Sequence, residues 1–256
     1  MRIEIANKEQ CETFIHIFTN LKYFTDKILV SIKSDKLYIQ GMDDSHVCIY
    51  ELFLQKSWFT NWEVDENNDY GIFLPIFNKM LCTWTDNHRI ILTSGDSNDK
   101  LDIELLTDVK GEFDKIFELP LMDIDLELMG IPETEYEADI VMNSRKFKST
   151  IDSLSYFSDT FNITCKDEKL ELESNSSEGS MKVEINMDDI ESLAAVEDDT
   201  IESSFGIKYI GYMCQFNKLS NNVNIHLSND IPIQIKYEIT DDSFMRFYLA
   251  PKIKDD

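Results

Sequence analysis

Two rhythms alternate along the chain. Over residues 7–23, Cys11, Phe14, Ile15, Phe18 and Leu21 recur at spacings of three and four, which gathers them on one face of a helix. A shorter stretch from about Leu74 to Trp84 has the same period. The second half repeats the order, with Phe147, Thr150, Ile151 and Leu154 over 143–157 and Tyr209, Ile210, Met213 and Cys214 over 206–218. Between these helices the apolar residues fall on every second position: Leu101, Ile103 and Leu105; Leu170 and Leu172; Met181, Val183, Ile185 and Met187; Val223, Ile225 and Leu227; Ile233, Ile235, Tyr237 and Ile239. Period two with one apolar and one charged face describes antiparallel strands buried on one side only. Ser34-Asp35-Lys36, residues 95–99 and residues 175–179 supply the turns between strands. The class is α+β: antiparallel sheets, each covered on one face by two helices.

Residues 119–136, LPLMDIDLELMGIPETEY, interrupt this order at mid-chain. Five acids, Asp123, Asp125, Glu127, Glu133 and Glu135, alternate loosely with apolar residues, and Gly130-Ile131-Pro132 breaks any regular element. The residue before each proline is driven away from helix, so Leu119 and Ile131 are expected to be extended along a surface. Patterns of the same order on either side give two similar domains, 1–119 and 137–256, joined by a connector over 120–136.

Composition adds a contradiction that charge placement resolves. The chain carries 49 acids against 24 bases, a formal net charge of -25, and taken whole it should be soluble and repelled by nucleic acid. Yet the four helical windows hold eight bases (Lys8, Lys22, Lys79, Arg145, Lys146, Lys148, Lys208, Lys218) and three acids (Glu9, Glu12, Asp152). Lysine and arginine are good helix formers and suit a solvated face, but glutamate is equally good and nearly absent there. A basic side on an acidic body suits sequence-independent contact with phosphate. Five scattered cysteines without Cys-x-x-Cys spacing indicate neither zinc nor a disulfide framework, and point to a reducing compartment. With no signal-peptide pattern and no apolar run of membrane length, the expectation is a soluble intracellular protein that does not bind membranes.

Met42-Asp43-Asp44-Ser45-His46-Val47, the connector through Gly130-Ile131-Pro132-Glu133, Asp230-Ile231-Pro232 and the ending Tyr248-Leu249-Ala250-Pro251-Lys252-Ile253 together resemble proliferating cell nuclear antigen, the eukaryotic and archaeal-type DNA sliding clamp. The order and distances match over essentially the whole chain. The resemblance implies a homotrimeric, pseudo-sixfold ring with helices lining the hole and sheets outside. It implies no catalysis and no cofactor. Such a ring encircles duplex DNA without reading its sequence. It tethers DNA polymerase, the clamp loader, flap endonuclease and DNA ligase through a short motif with a Gln, an aliphatic residue and two aromatics.

Position by position, the resemblance assigns partner-peptide binding to Met42, His46, Val47, Ile49, Met129, Ile131, Pro132, Pro232, Tyr248, Ala250, Pro251 and Ile253. It assigns the DNA face to Lys22, Lys79 and Lys208, with His16 where a lysine is usual. Lys8, Arg145, Lys146, Lys148 and Lys218 stand nearby, while Cys82, Asp152 and Gln215 replace family bases. Ring closure would pair the strand around Asp114–Leu119 with Met181–Ile185 of a neighbour, and Pro120 would end the first strand early. The position of the family's modified lysine falls on Asp167, one residue after Lys166. Location in the nucleus follows for a cellular protein, and in a viral replication compartment for a viral one.

Three other readings compete. A subunit of a heteromeric, checkpoint-type clamp would share the fold. An acidic interaction protein would bind basic partners without DNA, which the basic helices oppose. A Mg-dependent nuclease could use Asp43-Asp44, Asp123/Asp125 or Asp188-Asp189, but such pairs arise by chance among 49 acids, and no phosphate loop, His-x-x-x-His or nucleophile elbow accompanies them.

Overall fold

A computed structural model describes all residues except 96–98, 126–127, 167–168, 196–199 and 254–256. The chain divides into two compact units, one comprising Met1–Asp44, Glu51–Met129 and Thr240–Phe244, the other Ser45–Tyr50, Gly130–Ile239 and Met245–Asp256.

The first unit carries β1 (Arg2–Ile5), α1 (Lys8–Leu21), β2 (Lys27–Ile32), β3 (Lys36–Met42), most of β4 (Cys48–Gln55), β5 (Asn61–Glu63), β6 (Asn68–Phe73), α2 (Leu74–Leu81), β7 (Arg89–Thr93), β8 (Lys100–Leu106) and β9 (Lys115–Pro120). One sheet runs β5-β1-β7-β8-β9, and the strands β6-β2-β3-β4 lie side by side. α1 begins where Asn7 accepts from the main-chain N–H groups of Glu9 and Gln10, two donors the first turn would otherwise leave unbonded. Pro75 sits in the first turn of α2, where its missing N–H costs no helix bond. The apolar stripes meet in an aromatic cluster: Phe14 and Phe18 are 4.6 Å apart, and Phe77 stands edge-on to Phe18 at 5.0 Å.

The second unit repeats the plan with β10 (Ala138–Asn143), α3 (Ser144–Leu154), β11 (Thr160–Lys166), β12 (Lys169–Ser176), β13 (Gly179–Ile185), β14 (Ser192–Ala195), β15 (Ile201–Gly206), α4 (Ile207–Cys214), β16 (Asn222–Leu227), β17 (Ile233–Thr240) and most of β18 (Ser243–Leu249). One sheet runs β13-β12-β11-β15, and β14-β10-β16-β17-β18 lie side by side. Asn143 caps α3 as Asn7 caps α1. Phe147, Ile151 and Leu154 of α3 and Ile210, Met213 and Cys214 of α4 are buried, as are Phe216 and Phe247, whose rings are 5.0 Å apart.

Several sequence expectations need correcting. Each helix is shorter than its window, because the last apolar residues lie in the turns that follow; Lys218 lies in a turn beyond α4. Leu119 is extended but buried, so the connector's start is not a surface segment. Pro120 lies opposite Lys100 at the end of β9. The Leu121 N–H bonds Asp99 O, so the odd-numbered residues of β9 face β8, and Pro120 removes a donor from the open edge instead. Beyond it, Met122 pairs with Gly71 of β6, its N–H 2.8 Å from Gly71 O. A Cβ on Gly71 would stand 2.1 Å from Met122 O, so only glycine admits the connector here. Glu127, Asp167, most of the expected turn over 95–99 and the last three residues lie outside the described residues.

Candidate DNA-facing helices and docking surface

Burial of the apolar stripes turns the basic positions outward. In the first unit Lys8 is ion-paired with Asp86 and lies 3.8 Å from Glu12, and these carboxylates raise its pKa, the Asp86 hydrogen bond most. Its charge is therefore already answered within the chain. His16 is half-buried, with the Asn20 amide 3.1 Å from its Nδ1 and 2.8 Å from its carbonyl oxygen. Lys22 is exposed at the end of α1 with its Nζ 5.4 Å from the Tyr23 ring, and Lys79 is exposed in the last turn of α2. Cys82 follows α2 and is exposed.

The second unit is richer. Arg145 and Lys146 are exposed in the first turn of α3, while Lys148 is held 2.7 Å from Asp152 one turn on. On α4, Lys208 lies 5.5 Å from the Tyr212 ring, itself 6.2 Å from Tyr209. Arg145 and Lys218 line one hollow of about 540 Å³ together with Asn217, Asn221 and Glu238. Among the described residues Lys22, Lys79, Arg145, Lys146, Lys208 and Lys218 form no ion pair. Two of these six are in the first unit and four in the second.

The residues assigned to peptide binding avoid the core. In the second unit His46 is exposed with φ 59°, Val47 is 36% exposed, and Ile49, Ile131, Tyr248 and Pro251 are half-buried. Pro132, Pro232, Ala250 and Ile253 are exposed. Main-chain bonds fix the tail: the Ala250 N–H donates to Val47 O at 3.0 Å and the Lys252 N–H to Ser204 O at 2.7 Å. A hollow of about 980 Å³ is lined by Ile131, Pro132, Tyr136 and Tyr248, with His226 and Arg246 among its polar groups. The Tyr136 hydroxyl donates to Pro232 O at 3.3 Å, and burial raises its pKa. In the first unit Met42 is half-buried. There Met129 is held by both ends of the Gln40 amide, its N–H 2.6 Å from Oε1 and its carbonyl 3.1 Å from Nε2.

Sequence reasoning missed Gln40, Tyr136 and Arg246. The one signal for Gln40 was a lone amide in the strand run KLYIQGM, where it is buried. Of the aspartates weighed for metal, Asp43 is buried and Asp123 and Asp125 are exposed; among the described residues no group of three or more metal-binding side chains is gathered. No described helix is long and apolar enough to cross a membrane.

Two similar units, each with antiparallel sheets and two helices, the helices turning bases outward, define a DNA sliding-clamp fold. The N-terminal domain of proliferating cell nuclear antigen matches residues 4–128 and its C-terminal domain residues 130–252, and the chain belongs to that family. It is 30% identical to the proliferating cell nuclear antigen of Chaetomium thermophilum over 98% of both chains. Among solved structures it resembles the PCNA2–PCNA3 complex of Sulfolobus tokodaii, with TM-score 0.87, 24% identity and coverage of 98% of this chain and 99% of that one. The proliferating cellular nuclear antigen of Entamoeba histolytica also gives TM-score 0.87, at 22% identity over 98% of each chain. The chain is a DNA sliding clamp, a processivity factor of replication and repair, in a family of non-catalytic scaffolds.

Proposed function

We propose that three copies of this chain close a ring around duplex DNA, with Lys22, Lys79, Arg145, Lys146, Lys208 and Lys218 as the working phosphate contacts. Lys8, His16 and Lys148 contribute less, because carboxylates or a neighbouring amide already engage them. The observation that carries this reading is the charge partition: a chain of net charge -25 leaves six bases on or beside its four helices without ionic partners among the described residues. Such contacts bind any sequence and let the ring slide. His46, Val47, Ile49, Ile131, Pro132, Pro232, Tyr248, Ala250, Pro251 and Ile253 of the second unit serve as docking residues for the short motifs of DNA polymerase, clamp loader, flap endonuclease and DNA ligase, and Met42 and Met129 of the first unit are assigned the same role. These residues are mostly apolar, exposed or half-buried, and backed by fixed main chain, which suits a helical turn with aromatic anchors. The protein performs no chemistry itself. It works in the nucleus if cellular and in the viral replication compartment if viral.

The test is topological. After loading, the protein should remain on closed circular DNA through a high-salt wash and be lost when the circle is linearised. Equal loss from both forms would refute encirclement. A second reading, a subunit of a mixed ring, draws on the Sulfolobus tokodaii neighbour, a complex of two different subunits. Assembly of this chain alone into a trimer would exclude any need for it.

A further inference from the structure

Three polar side chains of the second unit stand in one row across adjacent strands and line the hollow of about 980 Å³. Asp139 of β10 lies opposite His226 of β16, and His226 opposite Gln234 of β17. Strand alternation puts them there. Their chain neighbours Ile140, Ile225, Ile233 and Ile235 are buried in the core, so the three project from the other face of the sheet. Farther along that face of β17, Lys236 is half-buried and Glu238 exposed, as befits an outer face. Gln234 departs from them, at only 9% exposed.

The polar groups around Gln234 are already committed. His226 bonds Asp139 through Nδ1, its ring 5.6 Å from that of Tyr136, whose hydroxyl donates to Pro232 O. Arg246 of β18 lies 5.4 Å from the Tyr248 ring. The Gln234 amide has no hydrogen-bond partner among the described residues, and neither of its polar atoms is sealed from the hollow. Water satisfies such an amide while the hollow is open. An apolar side chain filling the hollow would strip that water and leave a buried donor and acceptor unpaired, a larger loss than one hydrogen bond would gain.

The walls favour an aromatic ring, since Ile131, Pro132, Tyr136 and Tyr248 form them. The floor favours a hydroxyl at its tip. A phenol both donates and accepts, so it can meet either end of the amide. The rim opposes an anion, because Glu133 and Glu135 are exposed there and Asp139 lies below.

We propose that Gln234 is a specificity-determining residue of the docking surface: by bonding the phenol hydroxyl, it selects a partner peptide whose aromatic anchor in this hollow is tyrosine over the same peptide with phenylalanine. The inference rests on the docking reading above. A site that bonds a hydroxyl rejects the analogue lacking it, whereas an apolar pocket hardly tells the two apart.

Calorimetric titration of the full chain with short peptides carrying the Gln, the aliphatic residue and two aromatics tests it. One peptide has phenylalanine at both anchors, and two others have tyrosine at one anchor or the other. Tyrosine at one of the two anchors should bind about tenfold tighter than phenylalanine, and at the other about equally. Gln234→Leu should tighten the phenylalanine peptide and weaken the tyrosine peptide, shifts of opposite sign that a merely structural role would not produce. Gln234→Ala should likewise erase the preference. A phosphotyrosine peptide should bind worse than the tyrosine one; tighter binding would give the hollow to a phosphate and overturn the inference. Binding of every peptide without a tyrosine preference, or a preference that survives both Gln234 variants, would overturn it and leave the docking surface standing. No binding of any peptide would overturn both.

Discussion

The N-terminal unit supplies two bases on or beside its helices without an ionic partner among the described residues and grips the start of the connector, whereas the C-terminal unit supplies four such bases. In the first, Lys8 is neutralised by Asp86, and Gln40 grips Met129 with a buried amide. Gly71 admits Met122 where no side chain would fit. In the second, Arg145, Lys146, Lys208 and Lys218 have no acidic partner among the described residues, and residues 132–135 of the connector are exposed. One architecture used twice thus serves two ends: the first unit seats the connector, and the second supplies more of the free positive charge.

The largest expected effect follows from the inequality in bases. Replacing Arg145, Lys146, Lys208 and Lys218 together by Ala should lower the slope of log affinity against log salt by about 3–4 per chain. The Lys22 and Lys79 pair should lower it by about 2. Retention of DNA by the loaded protein at graded salt reads both. Equal slopes for the two variants would break the comparison, and a large effect from Lys8→Ala would show that the Asp86 pair opens on DNA.

Next in size is the seat of the connector. Gly71→Val drives a side chain into the main chain at Met122, and should cost about 1–3 kcal/mol by overpacking while speeding amide exchange at Met122. Gln40→Ala leaves the Met129 N–H and carbonyl without their partners, about 1–3 kcal/mol. Tyr136→Phe, at the other end of the connector, removes one 3.3 Å bond and should cost about 1 kcal/mol or less. Denaturant melts order the three. If Tyr136→Phe proved the most damaging, the connector would be anchored from its C-terminal side, and Gln40 and Gly71 would be bystanders to its placement.

The sequence carried the periodic part of this design and lost the part made by close approach. All four helices were legible because their apolar stripes repeat at three and four, and α1 and α3 are also preceded by capping asparagines just ahead of the stripe. Helix ends were not, since Phe157 and Phe216 continue the apolar pattern into turns. The charge partition was overstated for a similar reason: Asp86 lies outside any helical window yet meets Lys8 across 78 residues. Gly71 reads as an ordinary strand residue until Met122 is seen against it. The residues assigned to docking come from the family resemblance rather than from periodicity. What the structure adds is that none of them is buried, so Val47 and Ile49 are not the sheet core their alternation would permit.

The last effect concerns alkaline pH and appears only outside the physiological range. Burial raises the Cys11 thiol to about 11 in the first unit, and raises Cys214 and Tyr237 in the second. For each group the folded state holds its proton more tightly than the unfolded chain does. The stability this gives is complete below the unfolded pKa and disappears as pH climbs through the folded one. For Cys11 the window runs from about pH 8.5, the ordinary thiol value, up to about 11. At pH 10 the loss from this residue should be on the order of 1–2 kcal/mol. The second unit, in which burial also raises Tyr136 and Cys165, has four such groups and should soften more than the first over the same range. Hydrogen exchange measured separately for α1 and α4 between pH 8 and 10, corrected for intrinsic rates, would show it. Cys214→Ala should bring the α4 response down toward that of α1, and an unchanged response would locate the alkaline sensitivity in Tyr237.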